Sequence, residues 1–357
     1  MIVIYHSYIA WKGWFGLPGV ISTGDYKTFT SFGQHLDQFI RNLPIGVDIF
    51  FFISGYLLTY LLVVEKDRFG KVNIPNFYIR RGLRIWPLYF FLVALAPFLV
   101  MWLGEKQPVY WPTIALVNNF YTMQSHEWSY PFAHFWSICI EEHFYLFWPI
   151  IIAFIPSKKL PFAITLLLGF SWCYKLYTYM FLSNNWFELY LHTFSRMDVI
   201  LLGGLLAVFY IKKPFVFKLH WSTMLMILGV VIILLSFDDM SNFDNILNGV
   251  ARRVVYIVLL GLIMMDLLFN PDRKSAIGQF KPLLYLGKVS YGIYMYGNIL
   301  VLIVIKKVLP LLGHNNIYLY FLIIFIASLL IPVASYELLE KPFLKLKQRF
   351  SLIKTRY

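Results

Sequence analysis

Long apolar runs separated by short polar breaks occupy nearly the whole chain. They fall at 1–11, 47–64, 84–103, 143–156, 160–180, 197–211, 222–237, 251–268, 284–305 and 317–337. A membrane-crossing helix needs about 20 mostly apolar residues. These solid runs therefore predict about ten transmembrane helices, the first of them short. A closed barrel would show weaker alternating segments of about ten residues. The fold class expected is an all-α polytopic membrane helix bundle. One run is preceded by charge: HFWSICIEEHFYLFWP at 134–149 sets Glu141 and Glu142 against a hydrophobic span. An ionised carboxylate at membrane depth costs a few kcal/mol or more unless paired. The pair is either interfacial, solvated or matched to an arginine, or it faces a polar cavity and takes part in chemistry.

Composition strengthens the membrane reading. The 357 residues are 59% hydrophobic and 14% charged, with mean hydropathy +0.66, against about 25% charged in a soluble domain. The net charge of +13 does not point to nucleic acid in such a chain. With the N-terminus placed in the cytoplasm and spans alternating, most of the 31 basic residues fall in inner loops and the tail, as the positive-inside rule requires. Both termini are then cytoplasmic. The two cysteines, Cys139 and Cys173, form no disulfide framework or zinc pattern. Cys139 and His143 stand four apart. A small buried residue is the plainer reading of Cys139, a nucleophilic dyad the sharper one. No cleavable signal peptide, P-loop, dinucleotide fingerprint or zinc-protease motif is present.

Several polar groups interrupt the apolar pattern. In FYIRRGLRIWP, 77–87, Arg80, Arg81 and Arg84 stand at i, i+1 and i+4. They serve either topology alone or a phosphate site, since arginine binds phosphate in bidentate fashion. His6 lies in the short first span and is either a packing residue or a base for a hydroxyl proton. In GVDIFFFISGY, 46–56, Asp48 suits a helix N-terminus, and Ser54-Gly55 suits close helix packing. In FSRMDVILLGG, 194–204, Arg196 and Asp198 suggest a mutual or cross-helix ion pair, or a partner for Glu141 or Glu142. Ser290 and Tyr291 in LGKVSYGIYMYGN, 286–298, suit a hydrogen bond to a neighbouring helix or to a ligand. The aromatic stretch 110–136, Trp136 included, reads as an interfacial belt or as a platform for sugar rings. The domain expectation is one membrane domain over 1–340 and a basic tail over 341–357, with no internal repeat or linker.

Taken in order, these blocks resemble the acyltransferase-3 family of integral membrane proteins. The resemblance is carried by His6, GVDIFFFISGY, FYIRRGLRIWP, HFWSICIEEHFYLFWP, FSRMDVILLGG, LGKVSYGIYMY and EKPF, and covers essentially the whole chain. It implies a ten-span enzyme moving an acyl group, commonly acetyl, from cytoplasmic acyl-CoA to a hydroxyl of a cell-surface or exported carbohydrate. No permanently bound cofactor is implied, and acyl-CoA is a co-substrate. The resemblance makes His6 the base. It gives Arg80, Arg81 and Arg84 to the phosphates of coenzyme A, one glutamate to His6 and the other to Arg196. Asp48, Ser54, Trp136, Arg196, Asp198 and Tyr291 become supporting polar groups.

Two departures stand out. The family carries an arginine about ten residues before its first-span histidine, and this chain begins five residues before His6, so an upstream extension is expected. Gly297 stands where many members have histidine. With the chain closing soon after EKPF, the extracellular hydrolase-like domain of some relatives is not expected. The competing readings are a transporter or flippase for a polar or glycan substrate, and an inactive relative.

Overall fold

The computed structural model describes residues 1–14, 31–182, 186–237, 252–312 and 316–350. Among these, every regular element is a helix. In chain order they are α1 Ile2–Trp14, α2 Ser31–Arg41, α3 Ile45–Phe69, α4 Ile74–Leu103, α5 Trp111–Ile114, α6 Asn118–Ser125, α7 Trp136–Phe154, α8 Leu160–Phe181 and α9 Trp186–Leu191. There follow α10 Thr193–Lys212, α11 Trp221–Phe237, α12 Arg252–Phe269, α13 Pro271–Gln279, α14 Lys281–Ile303, α15 Leu309–Leu312, α16 Ile317–Ser335 and α17 Lys341–Lys347. Two π-helical turns, Val304–Val308 and Tyr336–Glu340, follow α14 and α16.

Each apolar run coincides with one of these helices. Seven helical runs among the described residues are long and apolar enough to cross a membrane. The protein is therefore a multi-pass membrane protein of all-α class. The count of ten is not reached by that measure. Helix α1 has 13 residues and α11 has 17, while α12 carries Arg252, Arg253 and Asp266 within 18 residues. The helices not foreseen are α2, α5, α6, α9, α13, α15 and α17. They are short and lack a long apolar run, so hydropathy does not mark them.

The chain divides into two compact units. The first comprises Met1–Val47, Leu99–Lys106 and Val216–Ser335. Here α1 packs on α14 and α16. The Tyr320 hydroxyl donates to the Ser7 carbonyl at 2.9 Å, and Trp11 lies 4.9 Å from the Tyr320 ring. Lys12 is buried and pairs with the buried Asp37 of α2 at 2.5 Å. Gly297 marks a close approach, since a Cβ there would lie 3.1 Å from Cγ2 of Val3. Gly297 is thus a position where α1 presses on α14. At the other end of α12, Asp266 accepts from the Leu219 amide, Asn270 and Arg273, tying that helix to the start of α11.

The second unit comprises Asp48–Phe98, Gln107–Phe215 and Tyr336–Tyr357, of which 351–357 lie outside the described residues. Its centre is the crossing of α3 with α10. A Cβ on Gly55 would fall 1.9 Å from the Ile200 carbonyl oxygen, and one on Gly203 would fall 2.0 Å from that of Phe52. Only glycine permits backbones this close. Helix α7 joins this core through Trp148, whose indole donates to Thr59 at 2.9 Å. The Lys66 ammonium donates to the carbonyls of Ile152, Ala153 and Ile155 at 2.8, 3.0 and 2.7 Å. A cation on the orphan carbonyls of a helix C-terminus is a favourable cap.

Candidate active site

All the candidate residues except His6, Ser290 and Tyr291 lie in the second unit. Helix α4 brings the three arginines. It starts at Ile74, ten residues before the apolar run, so Arg80, Arg81 and Arg84 stand on its first three turns rather than in a loop. Only residues 70–73 separate it from α3. Helical spacing then puts Arg80 and Arg84 on one face and turns Arg81 away from them. Arg80 pairs with Glu65 of α3 at 3.0 Å, and Glu65 is buried. Arg81 lies over the rings of Tyr145 and Phe77, 5.2 and 5.7 Å from their centroids. Arg84 is exposed and stands near the buried Glu340 of the second π-helical turn.

Helix α7 begins at Trp136, seven residues before the apolar run, and so takes both glutamates into a helix. Adjacent helical positions diverge by about 100°, and the pair separates accordingly. Glu141 is 2% exposed. It lies within electrostatic reach of Arg81 and close to the hydroxyls of Ser54 and Tyr145. The Tyr145 hydroxyl itself donates toward Ser54 at 3.5 Å. Oε1 of Glu141 has no hydrogen-bond partner among the described residues. Glu142 is half-buried and accepts from the Trp86 indole at 3.1 Å. Oε1 of Glu142 likewise has no hydrogen-bond partner among the described residues, so the two differ in burial, Glu141 being buried and Glu142 half-buried.

The partner of Arg196 is a correction. One glutamate was expected to pair with it, but the structure places Asp48 of α3 against it, at 2.8 Å. Arg196 is also ringed by Phe51, Trp136 and Tyr190, at 5.6, 5.7 and 5.2 Å from the ring centroids. Trp136 is buried and serves as one wall of this cage. Tyr190 continues outward as a stack on Trp186, 4.9 Å between centroids, and Trp186 meets Trp128 at 6.2 Å. Asp198 pairs with Lys175 of α8, so the cross-helix reading applies to both charges. Cys139 is buried, and His143 is engaged with the Thr193 hydroxyl at 2.8 Å.

In the first unit, His6 lies half-buried on α1, its ring edge-on to Tyr5 at 5.1 Å. Tyr291 is half-buried on α14, and Ser290 is exposed, its hydroxyl donating to Gly287 in the same helix at 2.9 Å. Sequence reasoning passed over Tyr145, Glu65, Lys175 and Glu340. Tyr145 had a signal, since it lies four residues after Glu141 on the same helical face. The other three are visible only through contacts between distant helices.

The family model described as "Acyltransferase domain" matches residues 1–337. The chain belongs to the acyltransferase-3 family. As a member it is an acyltransferase. Among curated proteins, O-acetyltransferase OatA of Staphylococcus aureus (strain NCTC 8325 / PS 47) is 28% identical over 360 residues, covering 92% of this chain and 57% of that protein. OatA of Staphylococcus aureus (strain COL) aligns with the same identity and coverage. The chain thus spans little more than half the length of these relatives. No solved structure matches it.

Proposed function

We propose that this acyltransferase is an O-acetyltransferase. In this reading acetyl-CoA docks from the cytoplasmic side of the plasma membrane, and both termini are cytoplasmic. The acceptor is a hydroxyl of a cell-surface or exported carbohydrate. The name of the OatA relatives supports the O-acetyl part, and the family resemblance supports the donor. The observation that carries the reading is Glu141. A carboxylate oxygen buried without a hydrogen-bond partner among the described residues costs free energy. Here it stands beside an arginine, two hydroxyls and a cation-rich helix start. Such a cost persists where a polar reactant completes the site.

In the reaction proposed, the acceptor hydroxyl oxygen forms a bond to the thioester carbonyl carbon, and its proton passes to the imidazole of His6. The C–S bond then breaks, and the leaving thiolate takes that proton and departs as coenzyme A. Arg80, Arg81 and Arg84 bind the donor's phosphates. Glu141 is the catalytic carboxylate, and Glu142 flanks it. The aromatic cluster of Trp128, edge-on to Trp186, and Trp186, stacked on Tyr190, suits a sugar ring.

The test is purified protein in lipid with radiolabelled acetyl-CoA and a mixture of cell-wall glycans. Label should pass to glycan with wild type and be lost with Glu141→Gln and His6→Ala. A wild-type protein that neither binds nor consumes acetyl-CoA would leave the transporter reading in its place.

A further inference from the structure

We propose that Thr193 is a positioning residue for the acceptor, fixed by Asn119 and linked to α7 through His143. This rests on the reading of Trp128, Trp186 and Tyr190 as the sugar platform. Asn119 lies on α6, His143 on α7, and Thr193 opens α10. The Asn119 amide nitrogen donates to the Leu191 carbonyl at 3.1 Å and to Oγ1 of Thr193 at 3.2 Å. A carbonyl only accepts, so the bond to Leu191 fixes which end of the amide faces α10. Nδ1 of His143 lies 2.8 Å from the same Oγ1. With Asn119 donating to it, the Thr193 hydroxyl has its own proton to give, and Nδ1 of His143 is its acceptor. His143 is then a neutral ring with its proton on Nε2.

Leu191 and Thr193 flank the joint between α9 and α10. Trp186 and Tyr190 stand before it, and Arg196 with its ring of aromatics stands after it. His143 lies two residues beyond Glu141 on α7, the helix whose Trp136 is another wall of that ring. The network therefore ties the backbone of the platform to the helix of the catalytic carboxylate. The arrangement is costly. Asn119 is fully buried, and its Oδ1 has no hydrogen-bond partner among the described residues. The backbone entering α6 passes through Leu116 at φ 59°, a region that bulky side chains rarely adopt. Were α6 only packing, an apolar residue at 119 would avoid the unmade hydrogen bond. A polar joint that holds one hydroxyl on one imidazole suits a reaction in which misplacing the attacking oxygen by about 1 Å is already felt.

The experiment measures initial rates of acetyl transfer from radiolabelled acetyl-CoA, with the full chain in lipid discs and an enzymatic digest of bacterial cell wall as acceptor. Thr193→Val removes the hydroxyl and keeps the shape. It should raise KM for the acceptor about tenfold, the weight of one positioning hydrogen bond, and leave KM for acetyl-CoA unchanged. Thr193→Ser should restore the wild-type value. Asn119→Leu should act in the same direction, and the double variant should be no worse than the more severe single one. Thr59→Val removes the buried acceptor of the Trp148 indole and is the structural control. It should lower the unfolding temperature with both KM values kept. If Thr193→Val lowers only the amount of active protein, with both KM values kept, or if KM for the donor changes instead, the inference fails. Trp186→Ala then tests the platform separately. A raised acceptor KM there keeps the platform, and an unchanged one overturns it along with this inference. A wild type that passes no acetyl to the digest overturns the carbohydrate reading and the inference together. Should Thr193→Val fold poorly, Asn119→Leu leaves the start of α10 intact and reads the same loss.

Discussion

Arg196 and Asp48 form an ion pair at 2.8 Å between α10 and α3, each at most 2% exposed. Both sit beside the crossing where Gly55 and Gly203 bring the two backbones together. Three aromatic rings close around the guanidinium. Arginine is suited to this place because its planar group pairs and stacks at once. Removing one partner takes the counter-ion from a charge that is almost fully buried.

The first prediction follows from that pair. Asp48→Ala should destabilise the protein by about 3–5 kcal/mol, the usual cost of leaving a buried charge unmatched. Thermal unfolding in detergent measures it. Arg196→Met combined with Asp48→Ala should cost less than the two single losses added together. Strict additivity would show that the pair is not coupled.

A second prediction separates the glutamates. Glu141→Gln should lower acyl transfer at least about 100-fold while the protein inserts and unfolds as wild type does, the scale expected for a catalytic acid or base. Glu142→Gln should lower it far less, because Glu142 is half-buried and its partner is the Trp86 indole. Equal losses would mean that the helical face does not distinguish the two.

Tyr145 gives the third. Its ring carries Arg81 and its hydroxyl addresses Ser54 and Glu141. Tyr145→Phe keeps the ring and removes the hydroxyl. Transfer should fall about tenfold through kcat with KM for the donor nearly unchanged, as for loss of one positioning hydrogen bond. A rise in KM alone would assign Tyr145 to donor binding instead.

The fourth concerns the scaffold. Gly203→Ala places a methyl 2.0 Å from the Phe52 carbonyl oxygen. Backbone cannot step aside as a flexible side chain can, and overpacking costs about 1–3 kcal/mol or more. Gly169→Ala, where an added Cβ meets nothing within 4 Å, is the control. The first should lower the unfolding temperature and the second should not.

Much of this molecule was legible in its one-dimensional pattern. The apolar runs located the ten helices that carry them, because exposing that much hydrocarbon to water is unfavourable and lipid-facing backbone must bond within its own helix. The ordered blocks around His6, the arginines and the glutamates marked the family before any geometry was known. Gly55 was legible too, as a small residue in mid-span.

Packing alone decided the rest. Whether Glu141 or Glu142 turns inward depends on which face of α7 packs against its neighbours, and hydropathy does not fix that rotation. That Asp48 and not a glutamate meets Arg196, and that Glu65 holds Arg80, are contacts between residues far apart in the chain. Charge and hydropathy describe each residue by itself. Which charge faces which is set by the helix crossings, and those are fixed by the shape of side chains, and by their absence at two glycines.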